Sequence, residues 1–129
     1  IGKHIDKLDA DKAKGVGTMT VRIGEKASRY VNIAALLLIY LVIIYLVFVP
    51  MYFTPVMLIV LLAGKRLLLA LKTLTRPRPE NPPEGYAYWP TWFAAVCFYH
   101  NRLFGGLLIL GLVADTLLRI LLSGFWPLR

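Results

Sequence analysis

Between Val31 and Val49 the chain reads VNIAALLLIYLVIIYLVFV, nineteen residues with one Asn and no charge. No other feature constrains the fold as tightly. As a helix this run reaches about 30 Å, the thickness of a bilayer's hydrocarbon core. It is apolar all round, so it is not the one-sided face of a helix on a soluble domain. It also begins about thirty residues in and exceeds the usual apolar segment of a signal peptide, about 7–15 residues, with no small-x-small cleavage site. An integral membrane protein is expected, and the composition agrees: 58% of the 129 residues are hydrophobic. The first residue is Ile, which suggests a fragment or a processed piece.

Two further stretches read as spans. One is 51–74, MYFTPVMLIVLLAGKRLLLALKTL, with Pro55 early and Lys65-Arg66 past its middle. The other is 103–122, LFGGLLILGLVADTLLRILL, which carries Asp115 and Arg119. Pro50 and Tyr52 suit a tight reversal after the first span. The segment 75–90 is too rich in proline to continue a helix and is expected to be a loop. WPTWFAAVCFYH after it reads as helical, with Trp89 and Trp92 at headgroup level. The expected fold class is therefore all-α, a polytopic transmembrane bundle with three spans at 31–49, 51–74 and 103–122. Residues 1–30 and 75–90 form its polar loops.

The charges orient it. Of the fifteen Lys and Arg, seven lie in residues 1–30 and five between Lys65 and Arg78, with none in the turn at Pro50. The positive-inside rule then assigns 1–30 and 75–90 to the cytoplasm and the Pro50 turn and the terminal GFWPLR to the outside. The net charge of +8 is thus mostly topological. These basic residues flank spans and form no groove with stacking aromatics, so no nucleic-acid partner is expected. The single cysteine, Cys97, excludes an internal disulfide and sits where a packed thiol is expected.

Before the first span lies HIDKLDADKAKG, His4 to Gly15, with three Asp, three Lys and one His. A solvated loop whose lysines hold the topology is one reading. A calcium loop starting at Asp9 fails, because its required glycine would be Lys14. Two scattered histidines and one distant cysteine make no zinc set. The chemical reading is a metal-diphosphate site. Carboxylates are hard oxygen donors that share Mg²⁺ with substrate phosphates, and neighbouring cations take the remaining phosphate charge. On a helix Asp6 and Asp9 share a face, as do Lys7 and Asp11.

The longer stretch HIDKLDADKAKGVGTMTVRIGEKASRYV resembles the second aspartate-rich motif of the UbiA-type intramembrane prenyltransferases. That motif is D-x-x-x-D, a basic residue, and then a tail of the form G-x-x-T-x-x-V-R-L-G. Asp11-Lys12 supplies the final acid and base, and Gly15, Thr18, Val21, Arg22, Ile23 and Gly24 fill the tail. Aligned back from Thr18, the first motif aspartate falls on Lys7, with Asp6 one residue earlier, and Val16 replaces a residue that is often basic. YWPTWFAAVCFYHNRLFGGLLILGLVADTLL is similar to the final helix region of some members. The resemblance implies that the chain is the C-terminal portion of a nine-helix enzyme, whose missing N-terminal helices carry the first aspartate motif.

The resemblance also implies a chemistry. A polyprenyl diphosphate is ionised with Mg²⁺, and its prenyl group is transferred to an aromatic or other lipophilic acceptor, as in quinone biosynthesis. Carried over by residue, Asp6, Asp9 and Asp11 would bind metal. Lys7, Lys12, Lys14 and Arg22 would hold diphosphate, with Asp11 and Lys12 as the catalytic pair. The expected location is the cell or inner membrane, with this segment cytoplasmic. A noncatalytic three-span anchor, binding a partner or anionic lipid through its basic face, is the alternative.

Three smaller expectations remain. Asp115 and Arg119, four apart on one helix, suggest a structural ion pair, with a proton or substrate pathway as the alternative. Lys65 and Arg66 are expected to snorkel or face a central cavity, and His100-Asn101-Arg102 to anchor the last span at the interface. Gly105-Gly106 would permit close packing or a bend.

Overall fold

The computed structural model describes residues 1–122, so GFWPLR lies outside the described residues. Their secondary structure is all-helical, 74% helix with no strand among the described residues. Two short helices, α1 (Gly2–Asp6) and α2 (Leu8–Ala13), precede the long α3 (Met19–Phe48). A 3-10 helix (Pro55–Ala63) runs directly into α4 (Gly64–Leu74), and α5 (Phe93–Leu121) closes the fold. Of these, α3 and α5 are long and apolar enough to cross a membrane. Only 28% and 17% of their most apolar windows are buried within the chain, unlike the core helices of a soluble protein. Leu38, Leu41 and Phe48 on α3, and Phe98, Ile109 and Ile120 on α5, are openly exposed.

The sequence determines where α3 starts and bends. Thr18 caps it, its hydroxyl accepting from the Val21 amide at 3.4 Å. Gly24 has φ +83° inside the helix, where a residue without Cβ is comfortable, and kinks it. Pro50 ends it, and the chain reverses at once: the amides of Tyr52 and Phe53 donate to the Leu46 carbonyl at 2.8 and 3.3 Å.

From Arg29 onward the buried residues on α3 are Arg29, Asn32, Leu36, Tyr40, Ile43 and Val47, after Thr20 and Ser28 nearer its start, and on α5 they are Phe93, Cys97, His100, Phe104, Gly111 and Asp115. Both sets step by three, four or seven, the spacing that keeps one stripe facing a partner helix. Two apolar clusters stack along the stripes. One gathers Tyr40, Ile43, Val47, Met57, Val60, Ala63 and Phe104. The other gathers Ile5, Leu36, Ala70, Leu74, Phe93 and Cys97.

Three expectations change. First, 51–74 is not one α-helix. Its first half is a 3-10 helix, in which residues three apart line up, and its buried residues are Met57, Val60 and Ala63. That ridge meets α5 at Gly111, where a Cβ would lie 3.0 Å from the Met57 sulfur. Second, α5 begins at Phe93, so the stretch before residue 103 and the expected last span are one helix. Third, residues 1–30 are largely helical rather than a loop. The close approach expected at Gly105-Gly106 occurs at Gly111 instead, since a Cβ on either earlier glycine meets open space.

Candidate functional site

The acidic and basic segment docks against the start of α5. Ile5 is buried in the second apolar cluster, and Gly2 lies so close to α5 that a Cβ would stand 3.0 Å from the Phe93 carbonyl oxygen. Trp92 offers no side-chain cap to the first turn of α5, and Asp6 supplies one from the far end of the sequence. The Phe93 amide donates to one of its carboxylate oxygens at 3.0 Å and the Ala94 amide to the other at 2.8 Å. These are two of the amides a helix start leaves unpaired, and a carboxylate suits the positive end of the helix dipole.

The three aspartates are therefore not gathered into one ligand set, and no cluster of three His, Cys, Asp or Glu is placed to hold a metal among the described residues. Asp6, expected as a ligand, has both oxygens engaged at α5. Asp11 is half-buried, 3.4 Å from His4 Nδ1. Asp9 faces solvent, as do Lys7, Lys12, Lys14 and Arg22. A magnesium ion commonly takes one or two carboxylates and completes its shell with water and substrate phosphate. Asp9 and Asp11 stand two apart on α2 and so do not share a face; each presents a single carboxylate, whereas both Asp6 oxygens are engaged.

Of the expected diphosphate contacts, Lys7 lines a cleft of about 760 Å³ between α1, the loop after α4 and α5, whereas Lys12, Lys14 and Arg22 do not. Lys3 joins it from α1, Thr91 and Tyr88 from the loop, and Asn101 and Arg102 from α5, over Ala94, Ala95 and Phe98. A smaller cavity of about 270 Å³ adjoins it and shares Tyr88, Ala95 and Tyr99; Tyr86 and Trp92 also line it.

His100 is the main departure on α5. It is 1% exposed and its side chain packs between α3 and α5, against Tyr40 and Phe104. Its Nδ1 is 3.0 Å from Asn101 Oδ1 and its Nε2 is 2.8 Å from the Tyr40 hydroxyl. An amide oxygen only accepts, so Nδ1 carries the proton and Tyr40 donates to Nε2. One turn away, the Asn32 amide donates to Cys97 Sγ at 3.1 Å. Arg66 lies against α5: its guanidinium is 3.8 Å from the centre of the Tyr99 ring and donates to the Tyr99 carbonyl at 3.0 Å. Asp115 and Arg119 form the expected ion pair at 2.8 Å. The heptad position of His100 was a usable signal for its burial; the cleft contacts of Asn101 and Arg102 had none beyond their polarity.

Replacing Asp6 by Ala is expected to destabilise the fold by about 1 kcal/mol, a typical cap loss. Hydrogen exchange should quicken at the amides of Phe93 and Ala94; unchanged protection there would refute the capping role. A second readout is Tyr86, whose phenol is raised above its ordinary value by burial, then by the Asp6 carboxylate, then by Tyr88. The unfolded chain releases this proton first, so stability contributed here is intact below the ordinary tyrosine value. It is lost as pH rises through the folded one. In Asp6→Asn the Tyr86 transition should move down, seen by alkaline difference absorption and identified by its loss in Tyr86→Phe.

No protein-family model, curated protein or solved structure matches this chain.

Proposed function

We propose that the chain carries the second aspartate motif of a Mg²⁺-dependent membrane prenyltransferase related to the UbiA-type enzymes. It would transfer a polyprenyl group from its diphosphate to an aromatic or other lipophilic acceptor, with quinone biosynthesis as the leading setting. The observation that carries this reading is the stretch from Asp9 to Gly24, in which each tail residue with a conformational demand has a matching place. Gly15 adopts φ +66° just after α2, Thr18 caps α3, and Gly24 supplies the kink. Together they shape the link between the charged helices and α3.

Three spans belong to this reading. The 3-10 helix and α4 are contiguous in sequence, and at rises of about 2.0 and 1.5 Å per residue a straight run of the two would extend roughly 34 Å, enough to cross. Both basic segments gather at one end, where Asp6 caps α5 and Arg78 reaches toward the Asp6 and Pro90 carbonyls. That supports a cytoplasmic assignment for both.

In this reading Asp9 and Asp11 would hold the metal, which supplies charge neutralisation for the leaving diphosphate. Lys7, Lys12, Lys14 and Arg22 offer exposed cations beside it, so the developing negative charge meets positive charge at several points. The apolar helices below exclude water from a reactive allylic group. The first aspartate motif and the remaining helices would come from elsewhere in the protein. The test is transfer of a labelled prenyl diphosphate to a phenolic acceptor by the intact protein in liposomes, with and without a chelator. Chelator-sensitive product supports the enzyme. Full membrane insertion with no product across a panel of acceptors would favour the noncatalytic anchor instead.

A further inference from the structure

The 760 Å³ cleft is unusual in its charge. Lys3, Lys7 and Arg102 line it, and none of them forms an ion pair among the described residues. The one carboxylate in its wall, Asp6, is turned to the α5 amides. Asn101 has its oxygen held by His100 Nδ1, which leaves the amide N–H groups free to donate. Ala94, Ala95 and the openly exposed Phe98 add apolar lining. Three cations and an amide donor beside apolar side chains match an anionic head on an apolar tail.

We propose that this cleft binds the phosphate head group of an amphiphile, with Arg102 as its principal contact and Asn101 as a second donor. Arg102 presents a planar fork of donors suited to phosphate oxygens, and Lys3 and Lys7 add point charges. The site borders the aspartate motif and shares Lys7 with it, but Lys12, Lys14 and Arg22 do not line it, and it needs no metal. The phosphate could arrive on a bilayer lipid or on a single-chain phosphorylated ligand; the chemistry of recognition is the same.

The test is binding of dodecyl phosphate to the intact protein in nanodiscs of neutral lipid, without divalent cation and at fixed ionic strength. Arg102→Gln should weaken binding roughly tenfold or more, the usual cost of a charged hydrogen bond. Arg76→Gln, an exposed cation outside the cleft, should leave it unchanged. Asn101→Asp keeps an oxygen for His100 but brings a negative charge to the phosphate, and should weaken binding at least as much. Inorganic phosphate should bind more weakly than the amphiphile. Competition by phosphatidylglycerol built into the nanodisc would identify a bilayer lipid as the source, and its absence a single-chain ligand. Equal losses in Arg102→Gln and Arg76→Gln, or no loss in Asn101→Asp, would overturn the proposal. Asp11→Asn should retain this binding, so failure here is distinguishable from failure of the prenyltransferase reading.

Discussion

Asp11→Asn is expected to reduce prenyl transfer by roughly a hundredfold to a thousandfold, the scale on which a single electrostatic contact to a developing charge acts. Stability should hardly change. Asp11 is half-buried, and its one side-chain partner is His4, at the long distance of 3.4 Å. Asn keeps the shape and can still meet the imidazole, so what is removed is the charge. The contrast with Asp6 makes the experiment sharp. Asp6→Asn should weaken the start of α5, because its two oxygens serve two backbone amides. If both variants lost activity in proportion to lost stability, the aspartates would be structural alone. If Asp11→Asn transferred prenyl groups at the wild-type rate, the metal role of Asp11 would be wrong, whereas absence of transfer by the unaltered protein is the result that favours the anchor. Circular dichroism and membrane extraction on the same preparations separate these cases.

That contrast also measures how much the sequence revealed. The existence of α3 and of the apolar part of α5 was legible, because a charge-free run of nineteen residues has few other fates. The cap at Thr18 and the stop at Pro50 are local chemistry and were equally open to reading. The pitch of the second apolar segment was not. A uniform aliphatic run signals burial but carries no period, and nothing in it marks that Met57, Val60 and Ala63 would be the buried set, with Met57 against Gly111 of α5. The role of Asp6 was hidden for a similar reason. Its partners lie 87 and 88 positions away, and nothing local marks a carboxylate as a cap for a distant helix. Beside Asp9 and Asp11 it read as a third metal ligand. His100 shows the opposite case: its position on the buried stripe was in the spacing, but the polar run with Asn101 and Arg102 pointed toward an interface.

Asp115→Ala should destabilise the fold by about 3 kcal/mol, the scale of removing one partner from a buried ion pair. Asp115 is 5% exposed and joins three parts of the chain. The Thr54 amide donates to one of its oxygens at 2.6 Å, at the start of the 3-10 helix. Arg119 Nε donates to the other at 2.8 Å, and the same guanidinium donates to the Tyr52 carbonyl in the turn. Without the carboxylate, Arg119 keeps a half-buried charge without its partner and Thr54 loses its acceptor. Asp115→Asn retains an acceptor for Thr54 but not the charge, so its cost should be smaller, about 1–2 kcal/mol. Adding Arg119→Leu to Asp115→Ala should recover part of the loss, because it removes the stranded charge. Unfolding in mixed micelles gives the energies, and hydrogen exchange at Tyr52 and Phe53 reports the turn itself. A proton or substrate pathway predicts a different pattern: lost activity in Asp115→Asn at unchanged stability, and no rescue by Arg119→Leu. Because the carboxylate already has a partner on each oxygen and both partners hold the reversal after α3, the structural pattern is the one expected.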